Sequence, residues 1–172
     1  MIILKGITNR GSVTIMKEEG IFEQYDFCRE SSIELLDSIA SEEQADVIPN
    51  GHRNSLRWNL GHILVAQEGV MYYFGMNQPG IISTKIREAF EPGTSPEDWS
   101  ASPLTLNEIR GLLLEQQERI RQTFYGRLGE PAANVFEFKD KKLKIMGDLF
   151  IFTIWHEGLH QGVIKGMKRA IK

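Results

Sequence analysis

The sequence predicts an all-α protein, a four-helix bundle. Three observations support this fold class: four long stretches in which apolar residues recur every three or four positions, one long connection between the second and third stretches, and no internal repeats. Four helices joined with one crossover connection are typical of helical bundles. The 172 residues are enough for one domain with its own hydrophobic core.

The composition is that of an ordinary soluble globular protein, with 41% hydrophobic and 25% charged residues. A net charge of -3 gives no electrostatic reason to expect a nucleic acid or an anionic membrane as a partner. For the enzyme considered below, the expected partner is a small-molecule substrate. The single cysteine, Cys28, excludes an internal disulfide framework and indicates a reducing, cytoplasmic location. The longest apolar run, residues 149–155, is too short to cross a bilayer.

Helical periodicity begins after Met16. We expect residues 1–15 to be a poorly ordered extension, or translation to start at Met16, so that the domain spans 16–172. The first predicted helix is amphipathic and about 22 residues long. Its apolar stripe consists of Ile21, Tyr25, Cys28, Ser32, Leu35 and Ile39.

The second helix follows a connector over residues 41–54. Ser55 is its predicted N-cap, and the helix reads "LRWNLGHILVAQEGVMYYFG". Beyond His62 only Gln67 and Glu68 are strongly polar, which predicts a helix buried among several neighbours. The proline-rich stretch 75–104 is the predicted crossover, with a short helix near "STKIREAF".

The third helix opens with a capping box at Thr105 and Glu108 and is predicted to run to about Leu128. The alternation in "VFEFKDKKLKI" then predicts a small hairpin or an extended excursion of the chain. The fourth helix starts near Gly147 and runs almost to the C-terminus. Its predicted buried stripe is Ile145, Leu149, Phe152, His156, Leu159 or His160, Val163 and Met167.

The segment "WHEGLH" places His156 and His160 four residues apart, on one face of the fourth helix, where two imidazoles can bind one metal ion. Its His-Glu-x-x-His pattern resembles that of zinc proteases, but those take their third ligand downstream, and no His, Asp, Glu or Cys follows His160. His62, inside the apolar second helix, is the better third candidate, whereas His52 lies in a loop that we expect to be solvated. Three histidines leave a coordination position open, as catalytic zinc sites do. A pair of neutral core histidines without metal is the alternative.

Other residues near these histidines have two interpretations each. Glu157 is rotated by about 100° from His156, so it is either a general base at the margin of the site or a solvated glutamate. Cys28 is expected to be an apolar filler rather than a ligand. Trp58 and Trp155 are expected to pack in the core, with shaping of a pocket as the alternative.

Two segments, "NSLRWNLGHIL" and "HEGLHQGVI", resemble the DinB-like, or YfiT-like, family of helical-bundle metalloproteins. The resemblance implies an up-down-down-up bundle in which His62, His156 and His160 bind a divalent ion, zinc or nickel. It also implies either a metal-dependent hydrolase or a thiol S-transferase that uses a thiol such as bacillithiol. Gln161 and Val163 depart from the arginine and glutamine that the family often shows at these positions.

The hydrolase and S-transferase alternatives differ in whether turnover needs added thiol. In either, the metal activates a nucleophile, and Glu157 is the candidate catalytic base. The rival class is a non-catalytic bundle, stabilised by metal and acting in binding or stress response. The broad apolar surface of the second helix is also compatible with a homodimer.

Overall fold

Four long helices dominate residues 17–171, the part of the chain that the computed structural model describes. These residues form six α-helices and one two-stranded sheet. The segments are α1 (Glu18–Asp37), α2 (Glu42–Asp46), α3 (Leu56–Glu68), a π-helical turn (Gly69–Phe74), α4 (Thr84–Phe90), a 3-10 turn (Pro96–Asp98), α5 (Leu106–Phe124), β1 (Pro131–Phe138), β2 (Lys141–Ile145) and α6 (Met146–Ala170). The fold is therefore mostly helical, and the predicted hairpin is confirmed. The predictions for residues 1–15 lie outside the described residues.

The long helices contact one another in a closed cycle: α1 packs on α5 and α6, and α3 packs on the same two helices. Each long helix therefore has two long neighbours, which explains why α3 is buried over nearly its whole length. The up-down-down-up order remains a prediction. Within residues 17–171, no helix combines the length and the apolar character needed to cross a membrane.

The predicted helix starts are confirmed where local capping decides them. Ser55 Oγ accepts a hydrogen bond from the Trp58 amide at 3.2 Å, and Thr105 and Glu108 form the reciprocal bonds of a capping box. The predicted end of the third helix near Leu128 is wrong, because Tyr125 is already extended and Gly126 has a φ of 82°.

The connector at 41–54 and the end of the second predicted helix both differ from the prediction. The connector at 41–54 contains the short helix α2, which Ser41 caps by accepting from the Gln44 amide. The second helix is not α-helical to its end, since Gly69–Phe74 is π-helical. A π-helical turn widens a helix locally and often lies at a functional site.

A polar layer divides the core into two apolar clusters. Arg29, Gln67, Gln116 and Glu157 are all at most 2% exposed and come from α1, α3, α5 and α6 respectively. One cluster lies beside α2 and α4 and contains Leu64, Leu113 and Ile164, among others. The other lies beside the hairpin and contains Tyr25, Met71, Ile120 and Phe150, among others. Because each long helix contributes to the layer, its hydrogen bonds fix the helices in register.

The predicted stripe of the fourth helix is wrong in part, because polar residues occupy the buried face. Leu149 and Met167 are fully buried, but Leu159 is 51% exposed and Val163 lies at the surface. Thr153, Glu157 and Gln161 are buried instead, each with hydrogen-bond partners on α1, α3 or α6. An apolar pattern could not identify this face because its centre is polar.

Candidate metal centre

Three histidines meet between α3 and α6. Ligand nitrogens of His62, His156 and His160 all lie within 4.8 Å of one another. Among residues 17–171, these three side chains are close enough together to hold one metal ion. Their ring centroids are 4.6 to 5.1 Å apart. His156 and His160 come together because four residues make about one helical turn, whereas His62 reaches them through the packing of α3 on α6.

The ring of His62 is fixed by two contacts. Its Nδ1 lies 2.7 Å from the Phe90 carbonyl oxygen, which can only accept, so Nδ1 carries the proton and Nε2 keeps a free lone pair. Trp58 stacks on the other side, with ring centroids 4.6 Å apart. The prediction that Trp58 packs in the core is confirmed, since it is 5% exposed.

Gly61 allows α4 to approach close enough to hold His62. A Cβ atom at this position would lie 2.4 Å from the Phe90 ring, closer than two carbon atoms can come. The close approach of Phe90 therefore explains why a glycine precedes the histidine in the "LGH" sequence.

His160 is oriented by Asn59, one helical turn before Ile63 on α3. Asn59 Oδ1 lies 2.8 Å from His160 Nδ1, while Asn59 Nδ2 donates to the Ser55 carbonyl at 2.8 Å. The second bond identifies which amide atom is the oxygen, so His160 Nδ1 is the donor and Nε2 is free. Acceptors that hold the far nitrogen of a histidine in this way are a regular feature of metal sites.

All three imidazoles are neutral at pH 7, which metal binding requires. Burial, together with a smaller effect of nearby His62, lowers the pKa of His156 to about 4. Burial and the two neighbouring histidines lower the pKa of His160 to about 3. Burial also lowers the pKa of His62, against the opposing effect of the Phe90 carbonyl. The donor set therefore fits a borderline divalent ion such as zinc or nickel.

Glu157 points away from the histidines. Its carboxylate accepts from Arg29 Nε and Nη2, both at 3.0 Å, and from Ser32 Oγ at 2.7 Å. The expectation of a solvated glutamate is wrong, because the residue is 1% exposed. Its role as a general base stays an untested prediction, and these bonds give it a structural role in the polar layer.

The remaining candidates are placed as follows. Cys28 is buried outside the histidine group, and burial together with the charge of Glu157 raises the pKa of its thiol to about 12. A neutral buried thiol agrees with the expected apolar filler. His52 is exposed, as expected for its loop. The prediction of core packing for Trp155 is wrong, because it is 49% exposed beside Phe138 of the hairpin.

A cavity of about 390 Å³ opens beside His62 and His156. Aromatic rings form much of its wall: Phe74 ends the π-helical turn, Phe136 and Phe138 come from β1, and Phe152 comes from α6. The aromatic contacts of the hairpin, such as Phe136 with Phe152 at 5.0 Å between centroids, hold this wall against α6. The site therefore has an adjoining space of small-molecule size.

Sequence reasoning missed the groups that orient the histidines. Asn59 precedes His62 by three residues on the same helix, so its polar character in an apolar run was a signal that could have been used. The Phe90 carbonyl left no such signal, because a backbone atom carries no sequence information.

The fold is mostly helical and brings three neutral imidazoles together beside an apolar cavity. The protein is therefore of the class of helical proteins with a candidate metal centre. The sequence model of one protein family, the DinB superfamily, matches residues 24–164. The chain belongs to the DinB superfamily, a metal-binding helical family, and the resemblance seen in the two histidine segments is confirmed. No curated protein matches the chain.

Proposed function

We propose that His62, His156 and His160 bind a divalent ion, zinc or nickel, and that the protein is a metal-dependent enzyme acting on a small molecule. The observation that carries this proposal is the convergence of three ligand nitrogens within 4.8 Å at the wall of a cavity. Three protein ligands are typical of catalytic sites, because they leave a position for substrate or water.

The residues of the chain prepare the site. Phe90 and Asn59 hold two imidazoles with their Nε2 lone pairs free, and burial keeps the rings unprotonated. An ion bound there supplies Lewis acidity and lowers the pKa of water or a thiol in its open position. The aromatic cavity walls exclude bulk water from the reacting group, which strengthens electrostatic interactions.

Two reactions are compatible with this site. In a hydrolase, turnover needs only water; in an S-transferase, it needs an added low-molecular-weight thiol such as bacillithiol. Assays with and without thiol separate the two.

We further propose an up-down-down-up bundle and a homodimer. Support for the homodimer comes from Ile151, Trp155 and Leu159, which expose apolar surface on the outer side of α6.

Metal analysis of untagged protein tests the metal site. We expect about one equivalent of zinc or nickel in the wild type, and its loss in His62→Ala and His156→Ala. His52→Ala is the matched control, because His52 is an exposed histidine outside the cluster. Asn59→Ala should keep all three ligands but weaken metal affinity by about 10- to 100-fold, since His160 loses its acceptor.

The metal proposal fails if the wild type binds no ion on titration, or if His52→Ala loses metal as the cluster variants do. In the first case the three side chains are core histidines held by hydrogen bonds.

A further inference from the structure

The cavity beside the histidines is apolar except at its rim. Val65, Val70 and Pro92 complete the wall that the four phenylalanines form, and no charged residue other than Arg87 and Glu91 lines the cavity within residues 17–171. Such a lining favours an aromatic or branched apolar group, which gains free energy by leaving water and by stacking on the rings. A cavity of about 390 Å³ admits a body of roughly naphthalene size.

Among residues 17–171, Arg87 is the one cation at this rim. It lies on α4, is exposed, and donates no side-chain hydrogen bond and forms no ion pair with any residue between 17 and 171. By contrast, Arg29, Arg57 and Arg119 are each bound to a carboxylate. An arginine whose five donors are uncommitted is well suited to bind a carboxylate, sulfonate or phosphate.

Arg87 also borders a second cavity of about 660 Å³. The two cavities share Val65, Gly69, Phe74 and Arg87. The second one adds the hydroxyl-bearing Ser83 and Thr84, and also Glu68, whose buried carboxylate is paired with Arg119. A ligand whose apolar end fills the inner cavity therefore passes Arg87 as it leaves. Glu91 stands at the same rim with the opposite charge, so the rim favours an anion only on the side of Arg87.

We propose that the substrate is an anionic amphiphile, whose aromatic or branched apolar body fills the inner cavity and whose anionic group pairs with Arg87. This assignment deepens the proposed function and rests on it, because it names the substrate class of the same site. The reacting group of the molecule lies at the end that faces His62 and His156, and the anion marks the opposite end.

Two fluorescent probes with the same aromatic body test the assignment. The first, 8-anilinonaphthalene-1-sulfonate, carries an anion, and the second, N-phenyl-1-naphthylamine, is its neutral analogue. We expect the wild type to bind the sulfonate more tightly than the neutral probe. Arg87→Gln should reduce this preference by about three- to five-fold, as expected for one partly exposed ion pair, and should leave the neutral probe unaffected.

Three further variants locate the binding. Lys85→Gln is the matched control, since it removes an equally exposed cation from α4 that does not line the cavity. Glu91→Gln should strengthen sulfonate binding, because it removes the opposing charge. Ala66→Phe adds a ring to the inner cavity wall and should reduce binding of both probes. Near-UV circular dichroism of each variant identifies any that has lost its fixed tertiary packing, because such partially folded chains also bind these dyes.

The assignment is overturned if the wild type shows no preference for the sulfonate, if Arg87→Gln and Lys85→Gln have equal effects, or if a folded Ala66→Phe variant binds both probes normally. The titration does not depend on metal content. A protein that shows the Arg87-dependent preference but binds no metal would refute the metal-dependent enzyme while keeping the anion-binding cavity, and the reverse result would refute only the substrate class.

Discussion

Gly61 shows how a residue without a side chain supports the candidate metal centre. The Phe90 ring occupies the space that a Cβ atom would need, and the Phe90 carbonyl holds His62. The position therefore links the packing of α4 to the orientation of a ligand. The same glycine also carries a conformational cost in a helix, which only this close approach justifies.

Gly61→Ala should lower the free energy of unfolding by about 1–3 kcal/mol, because α4 must shift to relieve the overlap. Metal affinity should fall as well, since His62 loses its acceptor. The control is Gly111→Ala on α5, where a Cβ atom meets no neighbour and the change should stabilise the helix by about 0.5–1 kcal/mol. Denaturant melts and metal titrations measure both effects, and equal outcomes for the two variants would contradict the role of Gly61.

At the scale of helices, the buried pair of Arg29 and Glu157 joins α1 to α6. Arg29 also donates to the Leu113 carbonyl at 2.8 Å and to Gln67 Oε1 at 2.6 Å, so one side chain reaches α3, α5 and α6. The pair fixes the rotation of α6, because Glu157 faces α1 while His156 and His160 face α3.

Glu157→Gln should cost about 3–5 kcal/mol of unfolding free energy, because it leaves the Arg29 charge buried without its partner. The double variant with Arg29→Met and Glu157→Met should lose less unfolding free energy than the sum of the losses in Arg29→Met alone and Glu157→Met alone. Glu137→Gln is the control, since its ion pair with Lys142 is exposed and should contribute far less to stability than the buried pair. Additive losses in chemical denaturation would show that the pair is not coupled.

Sequence patterns predicted the helices that local signals define. Ser55 and Thr105 cap helices through bonds within three residues, and His156 and His160 share a face by spacing alone. The buried face of α6 was not predictable in the same way, because Glu157 is buried only where Arg29 meets it across the core. Because the face of α6 that carries Glu157 is buried, Leu159 is left exposed.

For the molecule as a whole, the two apolar clusters and the polar layer join the four long helices, and the histidine group contacts the first cluster through Trp58 and Phe90. Because side chains other than the histidines make up these clusters and this layer, we expect the core to persist without metal. An ion should stabilise the protein by mass action, by a free energy that grows with the logarithm of its concentration relative to its dissociation constant.

Chelation should leave the helical circular dichroism and a cooperative thermal transition, with a lower midpoint. At a hundredfold excess of ion over its dissociation constant, the lost stabilisation is about 2.7 kcal/mol. His62→Ala should show no response to the chelator. Unfolding of the wild type on chelation would instead favour the non-catalytic bundle whose metal holds α3 and α6 together.

The π-helical turn at Gly69–Phe74 also determines how the length of this part of the chain can vary. Such a turn holds one residue more than an α-helical turn, so deleting one residue there would restore a regular helix rather than break it. The helix on either side would keep its orientation, because the wide turn absorbs the extra residue, but the side chains within the turn would be placed differently. Val70 and Phe74 line the cavity from this turn, so such a deletion would reshape the cavity wall. An alignment gap within residues 69–74 is therefore expected to separate chains with this cavity wall from chains whose cavity has another shape.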